Sequence, residues 1–338
     1  MKKLFTNGHV KLLDDIPEEM KNLMLAKPVQ NYIEWRVVFK NSLSTPCRLV
    51  FDASSKTPTS QDGKTGGRCL NDLLMKGRVV TLDLVKMMLR FELLPFALLG
   101  DLMQFYCSVK LKPENWNLQR MVFRPDLDLS KELIEAVITT LIFGVKSSSA
   151  QTEAAILKLA NLVEKENVEL ADLLRNGRFV DDIADSQLTS QDCVKLINAA
   201  DKLFQSFGLE IKGWAVSGEK PSENISADGQ TLMVGGLKYK PELDCYEVPI
   251  PPLHFGSKAR GRLRVGTEVF DGEFADLENF VPKNLTRKQV FSKFMSVFDI
   301  FGKLTPAMST LRNDVRKVVK DTENWGGKNV GPTFLYLS

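Results

Sequence analysis

The sequence predicts an α+β fold built on a small antiparallel sheet backed by helices. Three observations lead there. Short apolar runs recur with turn residues between them, longer segments carry apolar positions at helical spacing, and two of the short runs end in acids.

Taken in chain order, residues 34–40 and 47–52 read as two strands joined by a Ser/Thr/Pro turn. A loop rich in Ser, Thr, Gly and Lys occupies 56–68. Residues 81–93 carry helical spacing, and 95–101 form an apolar run closing on Asp101, as a buried strand does. Residues 130–143 and 150–166 read as helices, joined by the small residues of 144–149. Residues 190–207 read as an amphipathic helix capped by Ser190. A hairpin is expected over 231–239 and 244–249, with Pro241 in its turn. Residues 257–282 mix Gly, Arg, Lys and acids with weak periodicity and read as a linker or mobile loop. Two further helices follow over 286–298 and 305–320, and the tail after Trp325 reads as cut, with no closing element.

Composition narrows the function classes. The chain has 338 residues, too many for one simple core, with 43% apolar and 26% charged residues, as in a soluble globular protein. No apolar run approaches a membrane span, and the N-terminus lacks the apolar centre of a secretion signal. Cys47, Cys69, Cys107, Cys193 and Cys245 are scattered without a Cys-x-x-Cys, which argues against a disulfide framework or zinc site and for a reducing compartment. With only His9 and His254 present, chemistry is expected to run on carboxylates and metal. A net charge of +3 does not by itself argue for a nucleic-acid partner, although a local basic groove is compatible with it.

The most informative segment is Phe179-Val-Asp-Asp182. Side chains alternate along a strand, so two consecutive acids fit a hairpin tip better than a strand interior. Like charges this close raise each other's pKa unless a cation neutralises them, and hard divalent cations prefer carboxylate oxygen. Alone, Asp181-Asp182 would read as a solvated acidic turn. Asp101, a third acid at the end of an apolar strand, gives the layout that a two-metal nucleotidyl-transfer site requires, although a D…DD pattern is also common by chance.

Several segments, in order, resemble the reverse transcriptase of the Pao/BEL group of long-terminal-repeat retrotransposons. They are Trp35-Arg-Val-Val-Phe-Lys40, Ser44-Thr-Pro-Cys-Arg-Leu-Val-Phe-Asp-Ala-Ser54, Cys69-Leu-Asn-Asp-Leu-Leu-Met-Lys-Gly77 and Gly100-Asp-Leu-Met-Gln-Phe-Tyr106. Thr140-Leu-Ile-Phe-Gly-Val-Lys-Ser-Ser148, Phe179-Val-Asp-Asp182, Phe207-Gly-Leu-Glu-Ile-Lys-Gly213 and Val297-Phe-Asp-Ile-Phe-Gly-Lys-Leu-Thr-Pro306 complete the set. The resemblance implies a right-hand polymerase. Its fingers would span 1–95 and 113–143, its palm 96–112 and 144–250, and a truncated thumb or connection 251–338.

On that resemblance Asp101, Asp181 and Asp182 match the catalytic, metal-binding acids, with the Leu102 carbonyl completing the shell. Magnesium is the expected ion, with manganese able to replace it. Lys40 and Arg48 match the residues that hold the incoming triphosphate, with Met103 and Gly144 beside it; otherwise Lys40 and Arg48 are exposed strand charges. Tyr106 matches the ring that excludes a ribose 2′-hydroxyl, though from the residues alone it reads as a core aromatic. Lys146 and Ser147 match a segment packing under template and nucleotide, or simply the loop leading into a helix. Lys212 matches the lysine that protonates departing pyrophosphate, or a solvated lysine at a helix end. Gly235, Gly236 and Lys238 match the hairpin that grips the primer, or a plain β-turn.

Three departures stand out: Phe179 replaces the usual Tyr, Gln104-Phe105 replaces Lys-Met, and Asp185 adds an acid near the pair. The resemblance implies an RNA- and DNA-templated DNA polymerase working on a primed template with deoxynucleoside triphosphates, with no membrane partner. A ribonuclease H domain would follow in the natural polyprotein. The expected location is the cytoplasm or a virus-like particle, with the nucleus as an alternative. A second reading is a truncated or domesticated remnant that binds nucleic acid without polymerising. A third, an RNA-dependent RNA polymerase, is disfavoured by Tyr106.

Overall fold

Phe96–Met103 (β4) is apolar along most of its length, and its middle is buried because it runs between two neighbours. Those neighbours are Asp182–Gln187 (β8) and Glu210–Val216 (β9), and Arg178–Phe179 (β7) lies beyond β8. Every pairing is antiparallel, in the order β7-β8-β4-β9. After β4 the chain contributes two strands to another sheet, then returns with the helices Ser148–Val163 (α5) and Val168–Asn176 (α6), β7, β8, helix Ser190–Ser206 (α7) and β9. This is a split β-α-β-β-α-β unit, the ferredoxin-like arrangement. The computed structural model describes residues 2–27, 29–39, 47–57, 67–78, 83–125, 128–220, 222, 232–251, 253–255, 258–259, 262–263, 270, 280–282, 285–299, 301–321 and 328–330.

The three helices cover one face of this sheet. Ile156, Leu159 and Ala160 of α5, Leu170 and Leu174 of α6, and Leu196 and Phe204 of α7 pack with Leu98, Leu102 and Ile183 of the strands. Local sequence starts two of these helices: Asn167 accepts from the Leu170 amide and Thr189 from the Asp192 amide. The cap of α7 is therefore Thr189, one residue before the expected Ser190. Leu84–Phe91 (α4) opens on Asp83, which accepts from the Val85 and Lys86 amides, and buries Met87, Met88 and Phe91.

A second sheet holds the strands Val10–Leu12 (β1), Arg120–Phe123 (β5) and Ile134–Ile138 (β6), in the order β1-β6-β5. The hairpin Glu34–Phe39 (β2) and Cys47–Asp52 (β3) has Val38 opposite Arg48. Val10, Ile33, Phe51, Leu70, Met121 and Ile138 form one core cluster with it. The helix expected over 130–143 is corrected here. Its β-branched run Ile134-Glu-Ala-Val-Ile138 forms a central strand because β1 and β5 satisfy its backbone from both sides.

The chain divides into two compact units, 1–230 with 241–243 and 231–240 with 244–338. In the second, Leu232–Val234 (β10), Leu237–Lys240 (β11) and Cys245–Glu247 (β12) form a meander. The turn expected at Gly235 and Gly236 is present, both at positive φ, and it divides 231–239 into two paired strands. Pro241 begins a short 3-10 turn before β12, as the expected hairpin required. Helix Arg287–Phe294 begins with a Thr286/Gln289 capping box, and helix Thr305–Asp321 packs with it around Leu285, Val290 and Val315. The tail does supply an element, since Lys328–Val330 pairs with Leu285–Thr286. Most of 257–282 lies outside the described residues. Among the described residues no helix is long and apolar enough to cross a membrane.

Candidate active site

The register of the four-stranded sheet assembles the acids. Asp101 on β4 is the direct partner of Asp182 on β8. Directly opposed residues of an antiparallel pair share a face, with Cβ atoms roughly 4.5–5.5 Å apart. Asp181 occupies the two-residue turn between Phe179 and Asp182, and its carbonyl accepts from the Leu102 amide at 2.8 Å. That bond fastens the hairpin tip to the strand carrying Asp101. Leu102 turns its side chain into the core, which leaves only its backbone carbonyl to serve a site; Met103 is half-buried beside it.

On the other side of β4 the ladder is irregular. Gly100 pairs with Trp214 and Leu102 with Ile211, so Lys212 and Gly213 together oppose Asp101. Such a two-against-one bulge re-aims a side chain. Here it brings the Lys212 ammonium to 3.9 Å from the Asp101 carboxylate. Lys212 thus lies within a strand, not at a helix end.

The electrostatics follow from this crowding. Burial, then the Asp181 charge, pushes Asp101 above the usual carboxylate range, while Lys212 and Arg48 pull it back. Burial, with the Asp181 and Asp101 charges, pushes Asp182 up to about 7. Arg48, exposed on β3, is therefore close enough to be felt at Asp101; Lys40 lies outside the described residues. The extra acid, Asp185, is tied to structure: Arg90 of α4 bridges it at 2.9 Å and Asp172 at 2.8 Å.

The donor chemistry suits a hard divalent cation, since the Asp101 and Asp182 carboxylates share one sheet face with Asp181 at the adjoining turn, where negative charge is in excess. Among the described residues no three His, Cys, Asp or Glu side chains form a metal cage by themselves. Magnesium rarely takes such a cage, holding one or two carboxylates and completing its shell with water and substrate phosphates.

Tyr106 follows β4 in a 3-10 turn, Phe105–Ser108, and its ring meets Phe143 edge-on at 4.4 Å. Phe143 is itself 59% exposed, an unusual position for a large apolar ring. Gly144 follows at φ +93, where a Cβ would lie 2.5 Å from the Phe51 carbonyl oxygen, so only glycine fits. Asn71 fixes this loop: its amide donates to the Gly144 carbonyl at 2.8 Å and its side-chain oxygen accepts from the Lys146 amide at 2.7 Å. The Lys146 side chain is exposed, donating to the Asn71 carbonyl at 3.3 Å. Ser147 accepts from Gln151 just ahead of α5. Gly235, Gly236 and Lys238 lie in the second unit, where a Cβ on Gly236 would stand 2.6 Å from the Phe298 ring.

Sequence reasoning gave no role to Asn71, Phe143, Glu153 or Arg178. A usable signal existed for Glu153, a charge within the otherwise uncharged buried stripe of α5.

No family model matches this chain, and no curated protein matches it. Among solved structures it is similar to the foamy viral protease-reverse transcriptase dRH in complex with ds DNA, with a TM-score of 0.51 and 13% sequence identity. The match covers 98% of this chain and 44% of that one, so the chain spans less than half of its length. At that identity the likeness concerns the fold: a mixed helix-and-sheet, reverse-transcriptase-like architecture.

Proposed function

We infer that the chain is the polymerase portion of a Pao/BEL-type retroelement reverse transcriptase, adding deoxynucleotides to a primer on an RNA or DNA template. The observation that carries this reading is the in-register pairing of Asp101 with Asp182, with Asp181 at the adjoining turn and Lys212 at 3.9 Å from Asp101. Magnesium, held by Asp101, Asp181 and the Leu102 carbonyl with Asp182 tuning the charge, would supply activation of the primer hydroxyl and neutralisation of the triphosphate.

The chain's own groups perform the remaining tasks. Arg48, with Lys40, holds phosphate oxygens, the guanidinium by a bidentate fork. Lys212 faces Asp101 and donates a proton to departing pyrophosphate. Tyr106, buttressed by Phe143, closes the space beside the sugar. Gly144, Lys146 and Ser147 lie under the template, and Gly235, Gly236 and Lys238 grip the primer. In this reading residues 1–95 and 113–143 are fingers, 96–112 and 144–250 palm, and 251–338 the start of thumb and connection. A ribonuclease H domain follows in an intracellular polyprotein.

Primer extension on an RNA template with magnesium and deoxynucleotides, beside an Asp181→Asn control, tests the reading. Extension by the unaltered chain and none by the control is expected. Tight primer-template binding without extension would overturn it in favour of a non-polymerising remnant.

A further inference from the structure

We propose that Arg178, paired with Glu153 beneath the acidic hairpin, is the positioning residue that holds the turn bearing Asp181 and Asp182 in its working conformation. The proposal rests on the polymerase reading for its catalytic consequence, but the geometry stands without it.

Val180 adopts φ +58, the left-handed region that a β-branched residue avoids and that glycine usually fills in two-residue hairpin loops. Such a conformation persists only where the surroundings over-determine it. Arg178 is the residue placed to do so. Its guanidinium is fully buried, and one terminal nitrogen donates at 3.0 Å to the Val180 carbonyl, the peptide group leading into Asp181.

The other donors of the same guanidinium reach fixed elements. Its Nε donates to the Leu174 carbonyl near the C-terminus of α6 at 3.1 Å, and its terminal nitrogens form a two-pronged pair with Glu153 of α5, one bond measuring 3.0 Å. The cation also lies over the Phe105 ring at 5.6 Å, and that ring contacts Tyr106. One planar group thus references the strained turn to two helices and to the segment carrying Tyr106. A buried charge needs its partner, and a planar fork cannot be replaced by a flexible ammonium without loss of geometry. Burial obliges each guanidinium donor to find an acceptor, and one of them takes the Val180 carbonyl, which ties the turn directly to the ion pair.

The test compares the unaltered chain with Arg178→Lys, Glu153→Gln and the doubly neutral Arg178→Gln/Glu153→Gln, whose glutamines can still bond each other. Hydrogen exchange across 178–184 is read first, because it needs no activity. Exchange there should rise in Arg178→Lys while α5 and α7 stay protected; unchanged exchange in both Arg178 variants overturns the proposal.

Primer extension by folded protein is read second. A positioning role predicts about a hundredfold lower kcat in Arg178→Lys with the nucleotide KM within about threefold, since small misplacements of reacting groups cost on that order. It also predicts a higher magnesium midpoint for extension. A loss of melting temperature with unchanged kcat and metal midpoint would leave only a structural pair and overturn the catalytic role. If the unaltered chain itself extends no primer, the polymerase reading fails, and the exchange result alone decides whether Arg178 holds the turn.

Discussion

Gly100 and Trp214 are cross-strand partners, and a Cβ on Gly100 would sit 2.6 Å from the indole ring. The ring cannot simply swing away, because its Nε1 donates to Asp201 on α7 at 2.9 Å. Gly100 therefore lets β9 approach β4 beside Asp101, where the bulge presents Lys212. Gly100→Ala should destabilise the chain by about 1–3 kcal/mol, the usual cost of overpacking. Trp214→Leu in the same chain should recover part of that loss, measured as a double-mutant cycle by thermal unfolding. Activity should fall further than stability, since the displaced strand carries Asp101.

Asp182 predicts a particular pH dependence. Burial and its acidic neighbours raise it from an ordinary 3.8 to about 7 in the folded chain, so the folded state binds this proton more tightly than the unfolded state. The favourable contribution is complete below about pH 4 and is lost as pH rises through about 7. Asp101, raised by burial and by Asp181, acts in the same direction. Asp182→Asn should therefore stabilise the metal-free chain at pH 8, by up to the order of 4 kcal/mol, and change little at pH 4. Magnesium should raise the melting temperature of the unaltered chain at pH 8 more than that of the variant. Equal melting temperatures for the two chains at pH 8 would contradict this electrostatic picture.

Asn71 bonds both the Gly144 carbonyl and the Lys146 amide, and also donates to the Ser54 hydroxyl at 2.8 Å. Its replacement by Ala should cost about 1–2 kcal/mol, because water can reach this half-exposed loop and repair part of the loss. The sharper effect should be on nucleotide KM, raised several-fold with kcat less affected, as steady-state extension would reveal.

Phe143 braces Tyr106 edge-on from an exposed position. Phe143→Ala should leave stability within about 1 kcal/mol, since the ring is largely solvated already. Freed of its brace, Tyr106 should discriminate less sharply against a 2′-hydroxyl, by about tenfold in the ratio of kcat/KM for deoxy- over ribonucleotides. Unchanged discrimination would mean that Tyr106 is held by other contacts.

Much of the architecture near the site could be read from local patterns. The runs leading to Asp101 and Asp181-Asp182, the helices that became α4 and α7, and the hairpin of β2 and β3 all announced themselves through periodicity, caps or turn residues. The segment 130–143 did not. Its apolar spacing suits either a helix or a buried strand, and the choice was made by its neighbours: β5, the preceding strand, and β1, which comes from near the N-terminus. The turn at Gly235 and Gly236 was legible as a Gly-Gly pair, and their positive φ divides 231–239 into two paired strands.

By itself the sequence determined which residues could do chemistry: three acids in two separate runs, few histidines, and a lysine downstream. Those are properties of residue type and local order, and they persist in any fold. Only the tertiary structure decided that Asp101 faces Asp182, that a bulge turns Lys212 toward them, and that Asp185 is spent on Arg90. It alone paired Arg178 with Glu153 under the turn. Register and long-range ion pairing depend on which strands and helices become neighbours, and a one-residue slip of β8 against β4 would take Asp182 off the face that carries Asp101.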